Sequence, residues 1–402
     1  MYYKITTFGC KSNQYDSSAI AEQMNQAGYS PVKANTPPDI HIINSCTVTA
    51  NSDKKVRSLI SQSKRDNPGV KIILCGCMPK AFPDSAEELV NLGKVDIAVP
   101  GVYIPNTCNT PQPHHAAEQP LPAYSPQYER TRAFLKIQDG CDRSCAYCII
   151  PKARGGSVSR SLPDIINEAA FLVQSGHKEL VITGINLCAY SSGGHRLVDT
   201  IEAVCAVDGA VRIRLGSLEP DMLTSDDIAR LSKLPKLCPH FHLSLQSGSD
   251  TMLCRMNRRY DTALYRNTVA EVRELFPNCA ITTDIIVGFP GETETEFAET
   301  IAFAEEMAFA KIHVFPYSRR EGTAAAAMPK QLSAKIKQER SAVLGKVAAR
   351  LRDEFTAGLS GTVQEVLIEK CVDGVSHGHT RCYTEVSVAE VYSQGDIVSV
   401  TL

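Results

Sequence analysis

The sequence predicts an α/β protein in three parts: an N-terminal open α/β domain, a central partial TIM-like (β/α)6 barrel, and a small C-terminal β-barrel. Three observations carry this. Residues 1–100 alternate strand-like and helix-like apolar patterns, and residues 130–320 repeat a βα rhythm about six times. From Gly361 the pattern turns to short alternating strands punctuated by Gly374, Gly378 and Gly395. At 402 residues the chain has material for two or three domains. We place their boundaries at 1–104, 129–358 and 359–402, with a linker over 105–128.

In the first part, strands are expected over Tyr2–Thr7, Asp39–Asn44, Val70–Leu74 and Val95–Val99. Helices are expected over Ser17–Ala27, Thr49–Arg65 and Phe82–Leu92, the first stopping at Gly28. Alternation of this kind builds a parallel sheet with helices on its faces. Cys10 follows the first strand, Cys46 the second and Cys77 the third. Ligands of an open α/β sheet collect at the carboxyl ends of its strands, so three cysteines distant in sequence converge on one rim. A buried free cysteine is common for any one of them, but less so for three at equivalent strand ends. Cys75 still lies within its strand and reads as structural.

The linker is rich in proline, which denies ladder donors and helix interiors. His114, His115 and Cys108 within it read as solvated or incidental. The barrel strands are expected at Ala133–Gln138, Glu179–Thr183, Val211–Leu215, His240–Leu245, Ala280–Val287 and Lys311–Phe315. Helical patterns between them include Pro163–Gln174, Leu197–Ala206 and Thr295–Met307. The working face of such a barrel is its strand C-terminal rim.

The first barrel strand runs into Cys141, Cys145 and Cys148, three thiols at CxxxCxxC spacing. Three ligands are one short of the four-thiolate shell of an iron–sulfur cluster, which leaves one iron open to a small molecule. A zinc site lacking a ligand and three unrelated core cysteines are the plain alternatives. Fifteen cysteines behind a start that is no signal peptide point to reduced thiols and metal, and to a cytoplasmic protein. No apolar run approaches a membrane span. With 42 Lys and Arg against 44 Asp and Glu, no global nucleic-acid footprint exists, so RNA contact must come from local basic patches.

The third part begins after a basic helix expected over Lys330–Arg352, whose face is either solvated or turned to RNA. Strands follow at Val363–Ile368, Thr380–Val388 and Asp396–Thr401. Residues 359–402 hold two basic residues, Lys370 and Arg381, against six acids, which is lean for a phosphate-binding surface.

The run Asp139–Cys148 with Ile149-Ile150-Pro151-Lys152 resembles the radical S-adenosylmethionine (SAM) enzymes. Phe8-Gly9-Cys10-Lys11-Ser12-Asn13-Gln14-Tyr15, Asn44-Ser45-Cys46-Thr47 and Gly76-Cys77 resemble the N-terminal domain of the methylthiotransferases within that superfamily. The form of the first motif and the block His313–Thr323 are most similar to the branch acting on threonylcarbamoyladenosine in tRNA. Ser45 stands where Thr is usual, and Met78-Pro79-Lys80 replaces the usual run after Cys77; neither change removes a ligand.

The resemblance implies an enzyme with two [4Fe–4S] clusters, on Cys10, Cys46 and Cys77 and on Cys141, Cys145 and Cys148, the latter chelating SAM at its open iron. It implies a 5′-deoxyadenosyl radical able to attack an unactivated aromatic C–H, followed by insertion of methylated sulfur. It places SAM contacts on Tyr147, Thr183, Gly184, Ser217, Glu219, Gln246, Gly288 and Gly291, the glycines allowing close backbone approach to an adenosine. The C-terminal module resembles a TRAM domain, with Arg319, Arg320, Arg381 and Tyr383 as RNA contacts. The implied partners are a tRNA anticodon stem-loop and an electron donor such as flavodoxin or ferredoxin. Two branches stay open beside it, acting on isopentenyladenosine in tRNA or on a ribosomal-protein aspartate. A non-catalytic iron–sulfur RNA-binding sensor is the alternative of a different class.

Overall fold

Five parallel strands open the chain in the computed structural model, which describes residues 1–33, 36–101 and 130–402. The linker expected over 105–128, with its histidines and Cys108, lies outside the described residues. Two units divide the chain. One comprises 1–127, 140–142 and 148–156; the other comprises 128–139, 143–147 and 157–402. Residues of the CxxxCxxC motif are thus carried by both.

In the first unit, β1 (Tyr2–Thr7), β2 (Ser30–Pro31), β3 (Ile40–Ser45), β4 (Lys71–Gly76) and β5 (Ile97–Ala98) run in the order β2-β1-β3-β4-β5. All neighbours are parallel. Period-two alternation sorts the side chains. Ile43, Ile72 and Leu74 pack with Val56 and Ile60 of α2 (Ala50–Asp66), while Ile40, Ile42, Ile73 and Cys75 pack with Ile20 and Met24 of α1 (Lys11–Gln26). Cys75 is fully enclosed in that second core, the structural role expected of it.

Helix α1 starts at Lys11 rather than at the expected Ser17. Its first two turns bury Ser12, Asn13 and Asp16; Asn13 donates to the Phe8 and Ser45 carbonyls, and Asp16 pairs with Arg154. A search for apolar periodicity does not register buried polar residues, so it starts the helix late. The short α3 (Cys77–Ala81) precedes α4 (Pro83–Asn91), and α5 (Ile150–Arg154) packs on α3 through Ile149, Ala153, Cys77 and Ala81.

In the second unit, β6 (Arg132–Lys136), β7 (Glu179–Thr183) and β8 (Arg212–Leu215) form one parallel sheet. The strands β9 (Ser217–Leu218), β10 (His240–Leu243), β11 (Ala280–Val287) and β12 (Lys311–Pro316) form the next. Only Gly216 separates β8 from β9, so the expected third barrel strand is one strand broken at a glycine. A Cβ there would lie 3.1 Å from the Ile182 carbonyl oxygen. Gly216 lets the strand switch neighbours, from β7 in its first half to β10 in its second.

The outward faces of these strands share one core with the helices. Phe241, Leu243, Ile281, Ile285 and Val287 meet Tyr265 and Val269 of α6 (Thr262–Leu275), Phe303 of α7 (Glu294–Met307) and Leu344 of α8 (Ala334–Ala357). The alternate, inward positions include many polar residues: Arg132, Lys136, Glu179, Arg212, Arg214, His240, His242, Asp284 and His313. Helix α8 begins at Ala334, capped by the Ser333 hydroxyl, not at Lys330.

The C-terminal strands β13 (Val363–Val372), β14 (Val375–Thr380), β15 (Glu385–Val388) and β16 (Ile397–Thr401) make an antiparallel sheet in the order β15-β14-β13-β16. The strand expected over Thr380–Val388 is broken by a turn at 381–384, where Tyr383 takes φ +68°. That turn caps the strand-start end of the barrel. Arg381 donates to the carbonyls of Pro235 and Leu237 at 2.5 and 2.8 Å. The Tyr383 ring stacks on His379 at 4.7 Å and receives the guanidinium groups of Arg132 and Arg214, each 4.8 Å from its centroid. Among the described residues, no helix is long and apolar enough to cross a membrane.

Candidate active site

In the first unit the three cysteines meet as their strand-end positions require. Cys10 caps α1 after β1, Cys46 follows β3, and Cys77 opens α3 after β4, on three adjacent strands. Gly9 stands at φ +106°, and a Cβ on it would sit 2.7 Å from the Cys46 Cβ, so only glycine lets the first loop pass this close to the second.

Asn13 ties the loops together. Its amide nitrogen donates to the Phe8 and Ser45 carbonyls at 2.8 and 2.9 Å, and its oxygen faces the Cys77 sulfur at 3.7 Å. Arg154 donates to that same oxygen and to Asp16, the latter at 2.9 Å. The Ser45 hydroxyl donates to the Cys75 carbonyl at 2.6 Å and accepts from the Met78 amide at 3.1 Å. The hydroxyl that a Thr would supply is therefore kept.

Burial pushes the Cys46 thiol up, with the Cys10 charge adding to it. Burial also raises Cys77, to about 11, while Arg154 pulls it down. The three thiols feel one another's charge, an arrangement that a metal cation reverses by deprotonating its ligands. Three converging sulfurs on a glycine-thinned rim fit a cluster that takes cysteine thiolates.

In the second unit, Cys145 is gripped by Arg258. One guanidinium nitrogen lies 3.2 Å from the Cys145 sulfur and 3.4 Å from the Tyr147 hydroxyl, another donates to the Tyr260 hydroxyl at 3.0 Å, and the third pairs with Glu219. Glu219 also faces Arg143 at 4.0 Å, and Arg143 pairs with Asp221 at 2.7 Å. Burial raises the Glu219 carboxyl, and Arg258 and Arg143 oppose the rise. Asn257, at φ +58°, fixes the motif backbone by donating to the Ser144 carbonyl at 2.8 Å.

The loop after β7 is organised by Gln138. Its side-chain oxygen accepts the amides of Ile185 and Asn186 at 2.9 and 2.8 Å, and a Cβ on Gly184 would lie 2.9 Å from that oxygen. Thr183 is buried beneath this loop. The Asn186 side-chain oxygen is buried without a hydrogen-bond partner among the described residues.

The other expected SAM contacts divide. Ser217 is exposed on β9. Gln246, at φ +71°, is held by backbone bonds to Asp284 and Ile286 at 2.8 and 2.9 Å. Gly291 donates to the Lys330 carbonyl at 2.9 Å. Gly288 makes a close approach to protein: a Cβ would meet Lys337 Cγ of α8 at 2.2 Å.

The expected RNA contacts also divide. Arg319 is exposed and donates to the Ala326 carbonyl at 2.9 Å. Arg320 is buried, and Arg381 and Tyr383 are spent on docking the C-terminal turn, so the structure turns these three inward. Arginine beside tyrosine reads alike whether the pair faces RNA or a barrel of buried charges. Arg154 and Gln138 carry the site without having been singled out, because single polar residues in turns have no periodic signature.

Two family models match the chain: uncharacterized protein family UPF0004 over residues 2–100 and the radical SAM superfamily over residues 135–304. The threonylcarbamoyladenosine tRNA methylthiotransferase MtaB of Thermotoga maritima is 38% identical over 392 residues, covering 95% of this chain and 90% of its own. The chain belongs to the methylthiotransferase family of radical SAM enzymes.

A second methylthiotransferase, the tRNA-2-methylthio-N(6)-dimethylallyladenosine synthase of Desulfotalea psychrophila, is 34% identical, covering 93% of this chain and 89% of its own. Among solved structures, the radical SAM methyltransferase TsrM of Kitasatospora setae matches with a TM-score of 0.55 at 14% identity, over 81% of this chain and 76% of that one. That likeness is one of fold. SAM with iron–sulfur clusters is the family's cofactor set.

Proposed function

We propose that this methylthiotransferase converts N6-threonylcarbamoyladenosine at position 37 of tRNA, 3′ of the anticodon, into its 2-methylthio derivative. The observation that carries the reading is the convergence of Cys10, Cys46 and Cys77 on adjacent strand ends, in a chain that also holds the CxxxCxxC trio. Cys141, Cys145 and Cys148 would hold one [4Fe–4S] cluster and Cys10, Cys46 and Cys77 the other. When bound, the clusters and SAM supply a one-electron cleavage and the sulfur and methyl groups to be inserted.

The protein's own part is positioning. Arg258 fixes the Cys145 sulfur and the Glu219 carboxylate together. Gln138 shapes the loop that presents the Asn186 oxygen, and the buried guanidinium of Arg154 sets the charge beside Cys77. The rim glycines Gly184 and Gly291, with Tyr147, Thr183, Ser217 and Gln246, line the SAM side of the reading. Arg319 is its remaining RNA-facing cation. The electron donor is a flavodoxin- or ferredoxin-class protein, and the reaction runs in the cytoplasm, where thiols stay reduced.

Mass spectrometry of tRNA nucleosides from a strain lacking the gene tests this. Loss of the 2-methylthio form of threonylcarbamoyladenosine is expected; loss of the dimethylallyl form instead, or a changed ribosomal protein, contradicts it. Formation of 5′-deoxyadenosine by the purified, reduced protein separates the enzyme from an iron–sulfur RNA-binding sensor, which forms none.

A further inference from the structure

The inward wall of the second unit carries a polar trio apart from the cysteines and the expected SAM contacts. His242 on β10, Asp284 on β11 and His313 on β12 bring one ligand atom each within 4.8 Å of the others. Parallel register places Asp284 beside His313 and His242 beside Thr282, so all three project from neighbouring strands on the polar face. His242 is fixed at both nitrogens, to the Thr282 hydroxyl at 3.0 Å and to Asp284 at 3.4 Å. Its ring lies 5.9 Å from that of His313, which is exposed, and the Asp284 side chain is 31% exposed. The trio therefore offers an acceptor, Asp284, and an accessible imidazole, His313, held by a third group.

Its height in the barrel is informative. Toward the strand starts lies the closed layer of Arg214, His240 and Tyr383. Toward the rim, Ser244 follows His242 by two residues, about 7 Å along the strand. The Ser244 carbonyl accepts from Tyr260, which touches Arg258, which touches Cys145. The trio is thus a ledge above the barrel floor and below the Cys145 rim.

We propose that Asp284 and His313, positioned with His242, form the subsite that receives the threonylcarbamoyl group of the substrate base. This rests on the tRNA function proposed above. The group offers urea N–H and hydroxyl donors to the Asp284 carboxylate, and a carboxylate to the exposed His313 imidazole. A dimethylallyl chain has none of these. Seating it would desolvate the Asp284 carboxylate and the His313 imidazole while offering neither a hydrogen bond, and sites built to hydrogen-bond a substrate reject analogues that cannot. The ledge therefore selects for the polar modification and against the apolar one.

The test uses anaerobically reconstituted full chain and anticodon stem-loop RNAs carrying threonylcarbamoyladenosine, dimethylallyladenosine or plain adenosine at position 37. Binding is read by fluorescence anisotropy without reductant, and methylthio product by mass spectrometry with it. Wild type should prefer the threonylcarbamoyl RNA to the plain one, and Asp284→Asn and His313→Leu should each lower that preference about tenfold, the loss of a hydrogen-bonded charged partner. An unchanged preference, or equal loss on all three RNAs, would overturn the subsite alone. So would a stoichiometric divalent metal, beyond cluster iron, that wild type holds and both variants lose, since two histidines and a carboxylate also suit such an ion. Activity of wild type confined to dimethylallyl RNA would overturn the function together with the subsite.

Discussion

Arg258 holds the Cys145 sulfur at 3.2 Å while its opposite nitrogen pairs with the buried Glu219. One side chain thereby couples a motif thiol to the carboxylate expected to face SAM. Replacing it with methionine leaves Glu219 buried without its main partner, a change of about 3 kcal/mol in stability. Denaturant titration should show that loss for Arg258→Met and recovery of more than half of it in the double variant with Glu219→Gln. A sulfur-directed hydrogen bond also raises a cluster's potential. Spectroelectrochemistry of the reconstituted single variant should find a more negative midpoint for the Cys141–Cys148 cluster, with the other cluster unmoved.

Asn13 is the knot of the N-terminal rim, bonded to two loop carbonyls and to Arg154. Asn13→Ala should cost about 1–3 kcal/mol, the penalty for stranding buried partners. Iron analysis should find less metal retained at the N-terminal trio, while 5′-deoxyadenosine formation persists.

Gly288 at φ +74° has Lys337 Cγ where a methyl group would go. Gly288→Ala should destabilise the second unit by about 1–3 kcal/mol through overpacking and backbone strain. Adding Lys337→Ala removes the clash but not the strained φ, so thermal denaturation should show partial recovery. Full recovery, or none, contradicts this account.

Burial, with Lys4 adding to it, lowers the His41 imidazole from 6.5 to about 4, where it bonds Thr6 at 2.8 Å and Ser63 at 2.9 Å. The unfolded chain then binds more protons than the folded one between those values, so stability falls as pH drops from 6.5 toward 4. His41→Gln should remove that component, flattening the melting temperature of the cluster-free chain across this window.

Much of this fold was legible because its strands are apolar on one face at least. Glu179–Thr183 and Ala280–Val287 match their expected bounds, and Cys10, Cys46 and Cys77 fall at the strand ends that ligand chemistry favours. What escaped was polar and buried. Ser12, Asn13 and Asp16 hid the start of α1, and the inward charges of the barrel gave no hint that Arg381 and Tyr383 close its floor. The ledge of His242, Asp284 and His313 spans three strands, and only register brings it together.

Iron and acid-labile sulfide counted per chain after anaerobic reconstitution test the two-cluster arrangement most directly. Wild type should hold about eight irons, two four-iron clusters. The triple alanine variant at Cys10, Cys46 and Cys77 should hold about four and still cleave SAM, and the variant at Cys141, Cys145 and Cys148 should hold about four and cleave none. Four irons in wild type, or equal loss of SAM cleavage in both variants, would contradict it.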